Sequence, residues 1–275
     1  MTNENQGVKP PHAKYGICAI ASPLEANYID EWIAYHKKIG IERFFICTND
    51  WTWNISDPAV VMTRLDGREK QLIWYTWFTR NMGKYVDFCA FIDCDEFIKL
   101  GAKHKSFADL AEEHYFHDAF CLSWRMFGSS GLHFNGDYSV LKRFTHRQAG
   151  FNQHIKTVLN IRKLASFKED KVVQFANSHF ARIASPYFAG HDIVSYSVDG
   201  RRIYGPFDRD ADKLLHDDDA WLAHYFTKTP EEWQKKKERG RIDVSENSPL
   251  LFRNDREFNL YDLNDVEDKS LAQLM

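Results

Sequence analysis

The stretch Phe88-Cys-Ala-Phe-Ile-Asp-Cys-Asp-Glu-Phe97 is decisive for the fold, because an apolar run ends abruptly in three carboxylates. An apolar run of roughly four to eight residues is typical of a buried strand. Open α/β sheets bind ligands at the carboxyl ends of their strands, which is where Asp93, Asp95 and Glu96 would lie. Such close carboxylates raise one another's pKa values unless a cation compensates. The Asp-x-Asp pair therefore indicates a site for Mg²⁺ or Mn²⁺ with substrate phosphates.

The alternative for this acidic cluster is a plain turn or helix cap, since Asp and Glu also occur there. The flanking residues favour the ligand site. The pair follows the apolar run directly, and a second apolar segment, Phe97-Ile98, resumes at once. The cluster is thus framed by two predicted strands.

The amino-acid composition limits the classes of protein to which this chain can belong. The chain has 275 residues, 44% of them apolar and 15% aromatic, which suits one large α/β domain. A net charge of −3 gives no case for nucleic-acid binding. No stretch approaches the roughly 20 apolar residues of a membrane-spanning helix, and the start of the chain lacks a signal-peptide core. Together with five cysteines in mostly apolar surroundings, this predicts a cytoplasmic protein with reduced core thiols.

The N-terminal half alternates strand and helix patterns. The first helix is expected to start after Ser22, with Pro23 at its first position and Glu25 completing a capping box. Alternating strands and helices predict a doubly wound, mainly parallel sheet in an αβα sandwich. The predicted strands are 15–21, 43–48, 60–63 and 88–92, and the predicted helices are 24–39 and 70–82.

The second half is less regular. A Gly-rich loop, Gly128 to Gly131, is expected to lie over or beside the pocket. A helix over 230–239 is capped by Thr229 and ended by Gly240. Its basic residues, Lys235 to Arg239, are interpreted mainly as a solvated face whose charges complement the helix dipole. The remaining expected elements are a helix over 107–115, strands over 119–126, 172–175 and 193–197, and an apolar unit at 221–228.

Several motifs in order resemble glycosyltransferases of the family 2-like group related to family 92. They are Glu25 to Gly40, Gln71, Phe91 to Ile98, Trp124 to Gly131, and His224 to Trp233. The similarity runs from about Tyr15 to Gly240. Related first helices usually open with Asn-Glu, where this chain has Leu24-Glu25.

This resemblance implies a GT-A fold, an αβα sandwich with a Rossmann-like sheet and C-terminal elements on the acceptor side. It divides the chain into a flexible start at 1–14, one domain at 15–240 with nucleotide-binding (15–100) and acceptor (101–240) halves, and a tail at 241–275. It also implies inverting transfer from a UDP-sugar to an oligosaccharide or lipid-linked glycan, in bacterial surface polysaccharide or lipopolysaccharide synthesis. A lipid-linked acceptor would bring the enzyme to the inner membrane, where Lys235 to Arg239 could contact anionic headgroups.

The metal is expected on Asp95 directly, with Asp93 contacting the metal or the ribose. Because many GT-A enzymes supply a C-terminal histidine, the resemblance adds His224, and an imidazole ligand favours Mn²⁺ over Mg²⁺. Lys228 could reach the diphosphate, or it could be a surface lysine. Lys156 is a further phosphate or acceptor candidate, since a buried lysine needs an anionic partner.

The nucleoside needs an apolar surface with a few polar contacts. The end of the first strand at Ala21, the carboxylate of Glu25, and Gln71 and Tyr75 on the second helix could supply them. Asn49 or Asp50 closes the second strand nearby. Glu25 fits a purely capping role equally well.

An inverting transfer needs a base for the acceptor hydroxyl. The sequence offers Glu96, Asp137 and Asp192 without choosing among them. Trp124 is a candidate for stacking against sugar rings or for the core. Gly128 and Ser129 are candidates for enclosing the acceptor.

Two other functions compete with the glycosyltransferase. A metal-dependent sugar-nucleotidyl or phosphotransferase would use the same acidic site, but it commonly carries a Gly-rich phosphate loop, which the stretch after Ala21 lacks. A non-catalytic carbohydrate-binding protein would use the aromatic residues and would not need the acidic cluster.

Overall fold

The computed structural model of the protein describes residues 11–49, 52–53, 55–134, 136, 139–165, 172–184 and 193–275. The strands are β1 (Ala13–Ala21), β2 (Arg43–Thr48), β3 (Val60–Arg64), β4 (Val86–Phe91), β5 (Glu96–Lys99), β6 (Ala119–Met126), β7 (His146–Arg147), β8 (Ile155–Asn160), β9 (Val172–Phe175), β10 (Ala181–Ala184), β11 (Ser195–Ser197), β12 (Arg202–Ile203), β13 (Trp221–His224) and β14 (Val266–Glu267). The helices are α1 (Ile29–Lys38), α2 (Lys70–Asn81), α3 (Phe107–Glu113), α4 (Val140–Arg143), α5 (Ile161–Leu164), α6 (Ala211–Leu214), α7 (Pro230–Arg239) and α8 (Asp255–Tyr261). Within these ranges no helix is both long and apolar enough to cross a membrane.

A large central sheet organises the chain, with strand order β12-β11-β6-β8-β4-β1-β2-β3. Strands β3, β2, β1 and β4 are mutually parallel, whereas β8 is antiparallel to both of its neighbours, β4 and β6. Strand β13 runs parallel to β6 and pairs antiparallel with β5. The architecture is therefore mixed α/β with a mainly parallel central sheet, compatible with a Rossmann-like nucleotide-binding fold.

Side-chain alternation along β1 places helices on both faces of this sheet. Ile17 and Ala19 pack in one core cluster with Trp32 of α1. Cys18 packs in a second cluster with Trp74 of α2. Because successive strand residues point to opposite faces, the sheet is buried on both sides, as the apolar runs of its strands predict.

The first helix begins later than the sequence predicts. The capping box does form, since the Ser22 amide donates to the Glu25 carboxylate over 2.7 Å, but it closes a 3₁₀ turn at Pro23–Glu25. Helix α1 then starts at Ile29. A capping box satisfies the amides of whichever helical turn follows it, so it does not by itself specify a long helix.

The C-terminal tail wraps the domain. Strand β14 pairs with β7, and the Arg147 guanidinium donates to Asp268 over 2.7 Å. The Ser129 amide donates to Asp262, and a Cβ added at Gly128 would lie 2.5 Å from the Asn264 side chain. The Gly-rich loop is therefore covered by the tail; of the expectation that it lies over or beside the pocket, the first part is wrong, since none of its residues lines the cavity.

All five cysteines are buried and unpaired, as expected for reduced core thiols. Cys94, between the two aspartates, also contributes to the lining of the main cavity. Burial, with smaller contributions from nearby carboxylates, holds the pKa of the Cys94 thiol well above its usual range. The thiol is therefore a neutral wall residue.

His36 makes the stability of the fold sensitive to acid. Its Nδ1 donates to the Trp32 carbonyl over 2.8 Å, and its Nε2 accepts from the Ile98 amide over 3.3 Å, so the neutral ring is satisfied. Burial lowers the pKa of His36 from 6.5 to about 3. Between these values the unfolded chain binds a proton that the folded chain does not, so stability falls as pH drops below about 6.5.

We therefore expect the free energy of unfolding in urea to fall by about 2 kcal/mol from pH 7 to pH 5 through His36 alone. The variant His36→Gln should lose that part of the pH dependence. His133→Gln, at an exposed histidine, serves as the control. Equal pH slopes for wild type and His36→Gln would contradict the assignment.

Candidate functional site

A cavity of about 280 Å³ opens at the carboxyl ends of β1 and β4. Ile20 and Ser22 line it from the end of β1, and Asp93 to Asp95 line it from the turn after β4. Helix α7 and the tail supply the facing wall. The remaining lining residues are Glu25, Gln71, Trp124, Met126, His154, Ser178, His179, His224, Phe226, Lys236, Arg239, Arg241, Ile242, Asp243, Arg253, Glu257 and Tyr261.

The two aspartates of the Asp-x-Asp pair have separate partners. Asp93 accepts from the Gln71 amide over 2.6 Å and from the Lys156 ammonium over 2.8 Å. Asp95 accepts from the Lys236 ammonium over 3.0 Å, and its other oxygen lies 3.4 Å from His224 Nε2. Each carboxylate is thus compensated by its own buried lysine.

Opposing effects determine the charge of the pair formed by Asp95 and His224. Burial raises the pKa of Asp95, but the charge of Lys236 and the hydrogen bond from His224 outweigh burial and hold that pKa well below its usual range. Burial also lowers the pKa of His224, although Asp95 opposes the shift. An ionised carboxylate therefore lies beside a predominantly neutral imidazole.

The Asp95 and His224 pair fits a divalent ion that a phosphate ligand also coordinates. Mg²⁺ and Mn²⁺ sites at phosphates commonly use one or two protein ligands, with phosphate oxygens and water completing the shell. No group of three or more His, Cys, Asp or Glu side chains in the described ranges is arranged to hold a metal. Asp93, which was expected to contact the metal or the ribose, accepts from Lys156. The described residues alone therefore do not form a closed metal cage.

Four cations also line the cavity and form a cationic wall: Lys236, which contacts the acidic turn itself, and Arg239, Arg241 and Arg253. Arg239 donates to the Ser22 hydroxyl over 2.6 Å. Arg241 and Arg253 both donate to the Glu257 carboxylate, over 2.8 and 2.6 Å. Arg239 also lies 3.8 Å from Glu25, and Asp243 lines the same cavity, so nearby carboxylates partly compensate these cations. Guanidiniums of this kind can still donate charge-assisted hydrogen bonds to an anionic ligand.

The position of Lys236 corrects the sequence interpretation of the basic run on α7. Lys235 is exposed, whereas Lys236 is buried and reaches Asp95. Trp233 is also buried, and residues three apart share one helix face. The three-residue spacing from Trp233 was the signal in the sequence that indicates a buried Lys236. The two tail arginines, Arg241 and Arg253, carried no such signal because the tail has no clear period.

Three histidines surround the ring of Trp124. The centroids of His154, His179 and His224 lie 4.8, 5.1 and 4.2 Å from that of the indole. Only 7% of Trp124 is exposed, so the indole supports these rings and offers little surface for stacking a sugar. Neither His154 nor His179 was identified from the sequence, since an isolated histidine in a loop has no local signature.

Hydrogen bonds determine the tautomers of His154 and His179. His179 Nδ1 lies 2.9 Å from the Ile155 carbonyl, which can only accept, so Nδ1 carries the proton. His154 Nδ1 lies 2.7 Å from Asn152 Oδ1, which also accepts the His154 amide. Burial lowers the two pKa values to about 4 for His154 and about 3 for His179. Both rings therefore keep an unprotonated Nε2 that can accept from a hydroxyl.

The predicted nucleotide-side residues divide between the cavity and the core. Glu25, Gln71 and Asp93 line the cavity. Ala21 and Tyr75 are buried outside it, and Asn49 donates to the Leu65 and Gly67 carbonyls. Lys228 lines a neighbouring cavity of about 180 Å³ that shares Glu25, Phe226 and Lys236 with the main one.

The predicted acceptor and base residues are mostly placed elsewhere. Lys156 is fully buried behind Asp93, and Gly128 and Ser129 lie beneath the tail. Glu96 is fully buried, outside the cavity lining, and burial raises its pKa well above the usual range, so it cannot reach an acceptor hydroxyl. Asp137 and Asp192, like Asp50, lie outside the described residues.

Comparison with known proteins leaves the family open. No protein-family model and no curated protein matches the chain. Among solved structures, the chain is similar to 4-diphosphocytidyl-2C-methyl-D-erythritol synthase from Anaerococcus prevotii, with 8% identity over 56% of this chain and 77% of that one. The TM-score is 0.29, a level at which the likeness carries no argument about fold or function.

Proposed function

We propose that the protein is a metal-dependent, inverting glycosyltransferase of the GT-A type that moves a hexose from a UDP-sugar to a glycan acceptor. One observation carries the proposal. A single cavity is lined both by the Asp95 and His224 pair and by four cationic side chains, one of which, Lys236, is bonded to Asp95. The ordered motifs that resemble family 2-like glycosyltransferases support the same reaction.

The cationic wall suits a donor diphosphate, which carries about two negative charges. Its guanidiniums and ammonium can donate charge-assisted hydrogen bonds to phosphate oxygens as the sugar leaves. A divalent ion on Asp95 and His224 would supply further neutralisation of the leaving diphosphate. Glu25 and Gln71 line the same cavity, which supports the proposal that they contact the nucleoside.

The histidine wall suits the sugar hydroxyls. The unprotonated Nε2 atoms of His154 and His179 can accept hydrogen bonds from hydroxyls but cannot donate to a phosphate. Neither atom accepts a hydrogen bond from a described residue. The cavity therefore pairs a surface for an anion with a surface for a polyol, as a nucleotide-sugar reaction requires.

The direct test is incubation with Mn²⁺ and a panel of UDP-hexoses, with and without glycan acceptors. We expect release of free UDP and a raised melting temperature with the donor, because a bound ligand stabilises the folded state. Release of UTP or sugar phosphate in the presence of pyrophosphate would instead identify a nucleotidyltransferase. Binding of sugars without any nucleotide would identify a carbohydrate-binding protein.

Arg253 provides a prediction specific to the cationic wall. Replacing it in Arg253→Gln should raise the dissociation constant of UDP about tenfold, which corresponds to about 1.4 kcal/mol for one charge-assisted contact. Calorimetric titration measures this change. Arg256→Gln is the matched control, since Arg256 is exposed on α8, three residues beyond Arg253 in the tail. Equal affinities of both variants for UDP would contradict the role of the wall.

A further inference from the structure

Lys236 is held against the Asp-x-Asp turn by three contacts. Its ammonium donates to Asp95 Oδ2 over 3.0 Å and to the Phe226 carbonyl over 2.8 Å, and it lies 4.4 Å from the centroid of the Phe226 ring. The side chain is 10% exposed. An ammonium has three donors, so one remains for a ligand in the cavity that Lys236 lines.

The same carboxylate is half of the candidate metal pair. Asp95 presents Oδ1 to His224 and Oδ2 to Lys236. A divalent ion on Asp95 would bind about 2.1 Å from a carboxylate oxygen, close to the ammonium. Two cations on one buried carboxylate repel each other strongly, because the surroundings screen them little. Lys236 and the ion therefore compete for Asp95.

We propose that Lys236 is a built-in counter-ion that competes with the divalent ion for Asp95 and serves the donor diphosphate once the ion has bound. In the free protein Lys236 compensates Asp95 and weakens metal binding. When metal and diphosphate arrive together, the diphosphate compensates both the metal and the released ammonium. This inference rests on the proposed function, because it assumes a diphosphate ligand.

The proposal predicts that removing the Lys236 ammonium strengthens Mn²⁺ binding and weakens UDP binding. Removing the ammonium in Lys236→Met leaves Asp95 uncompensated while keeping an apolar stem over Phe226. We expect this variant to bind Mn²⁺ about tenfold more tightly than wild type in the absence of nucleotide. We also expect it to bind UDP about tenfold more weakly in the absence of metal. A purely structural lysine would not improve metal binding.

The experiment titrates MnCl₂ and, separately, UDP into wild type and Lys236→Met by calorimetry at pH 7. Lys236→Arg keeps a cation at this position and should retain weak Mn²⁺ binding. Lys235→Met is the matched control, because Lys235 is exposed and paired with Glu231 on the same helix. It should change neither affinity.

Unchanged or weaker Mn²⁺ binding by Lys236→Met would overturn the proposal, as would its failure to bind Mn²⁺ at all. If Lys236→Met does not fold, Lys236→Gln removes the same charge, and the same changes in Mn²⁺ affinity and UDP affinity are expected of it. The Mn²⁺ titration does not depend on sugar transfer. If the wild type transfers sugar but wild type and Lys236→Met bind Mn²⁺ equally, only the competition is refuted. If Lys236→Met binds Mn²⁺ more tightly but the wild type transfers no sugar, only the enzymatic assignment is refuted.

Discussion

Replacing Asp95 by Asn should lower the rate of UDP release from a UDP-hexose by about 10² to 10³-fold, the effect typical of losing one preorganised electrostatic contact at a reaction centre. The amide keeps the shape of the carboxylate but has no charge to hold a divalent ion beside His224. The measurement is the initial rate with saturating donor and Mn²⁺. An excess of chelator should produce a similar loss in the wild type.

The control for Asp95→Asn is Asp66→Asn, at an exposed carboxylate paired with Arg64. It should retain the wild-type rate. A melting temperature for Asp95→Asn within a few degrees of wild type would separate loss of chemistry from loss of fold. A variant at position 95 that keeps more than half of the wild-type rate would refute the central role of this carboxylate.

Lys156→Met should strongly destabilise the fold, lowering the free energy of unfolding by about 3 kcal/mol. Lys156 is fully buried on β8, and its ammonium lies 2.8 Å from Asp93 and 3.7 Å from Glu96. Removing one partner of a buried ion pair leaves the other charge uncompensated. We expect the lower end of the usual range because the Asp93 side chain is 31% exposed and water screens part of its charge.

Urea unfolding measures the effect of Lys156→Met directly. The matched control is Lys103→Met, which removes an ammonium that is 59% exposed and lies 2.6 Å from the exposed Glu113 carboxylate. Surface pairs of this kind contribute about 0 to 1 kcal/mol. Similar losses for both variants would show that Lys156 does not serve as the buried counter-ion of the acidic turn.

The local elements of the fold were largely predictable. Apolar runs identified Arg43–Thr48 and Ala119–Met126 with the bounds that the structure has. Capping residues identified the bounds of the helix Pro230–Arg239, at whose start the Thr229 side chain accepts from the Glu232 amide. These signals act within a few residues, so they survive in a sequence. The later start of α1 shows their limit, since one capping box suits a short turn as well as a long helix.

The placement of the tail was not predictable. Glu257 joins two arginines at the cavity, and Asp262 covers the Gly-rich loop. Asp262 and Ser129 are 133 residues apart, and no periodic pattern in the tail indicates which part of the domain its side chains contact. The sequence predicted only that a tail spans 241–275, without its position on the domain.

The sequence by itself determined the acidic turn, because an apolar run ending in Asp93 and Asp95 specifies a buried strand with carboxylates at its end. Tertiary structure alone decided which cations meet them. Lys236 is 141 residues from Asp95, and they meet because β13 pairs with both β5 and β6 and brings α7 over the turn. Charge compensation in a buried site depends on distance through space, and only the assembled sheet establishes that distance.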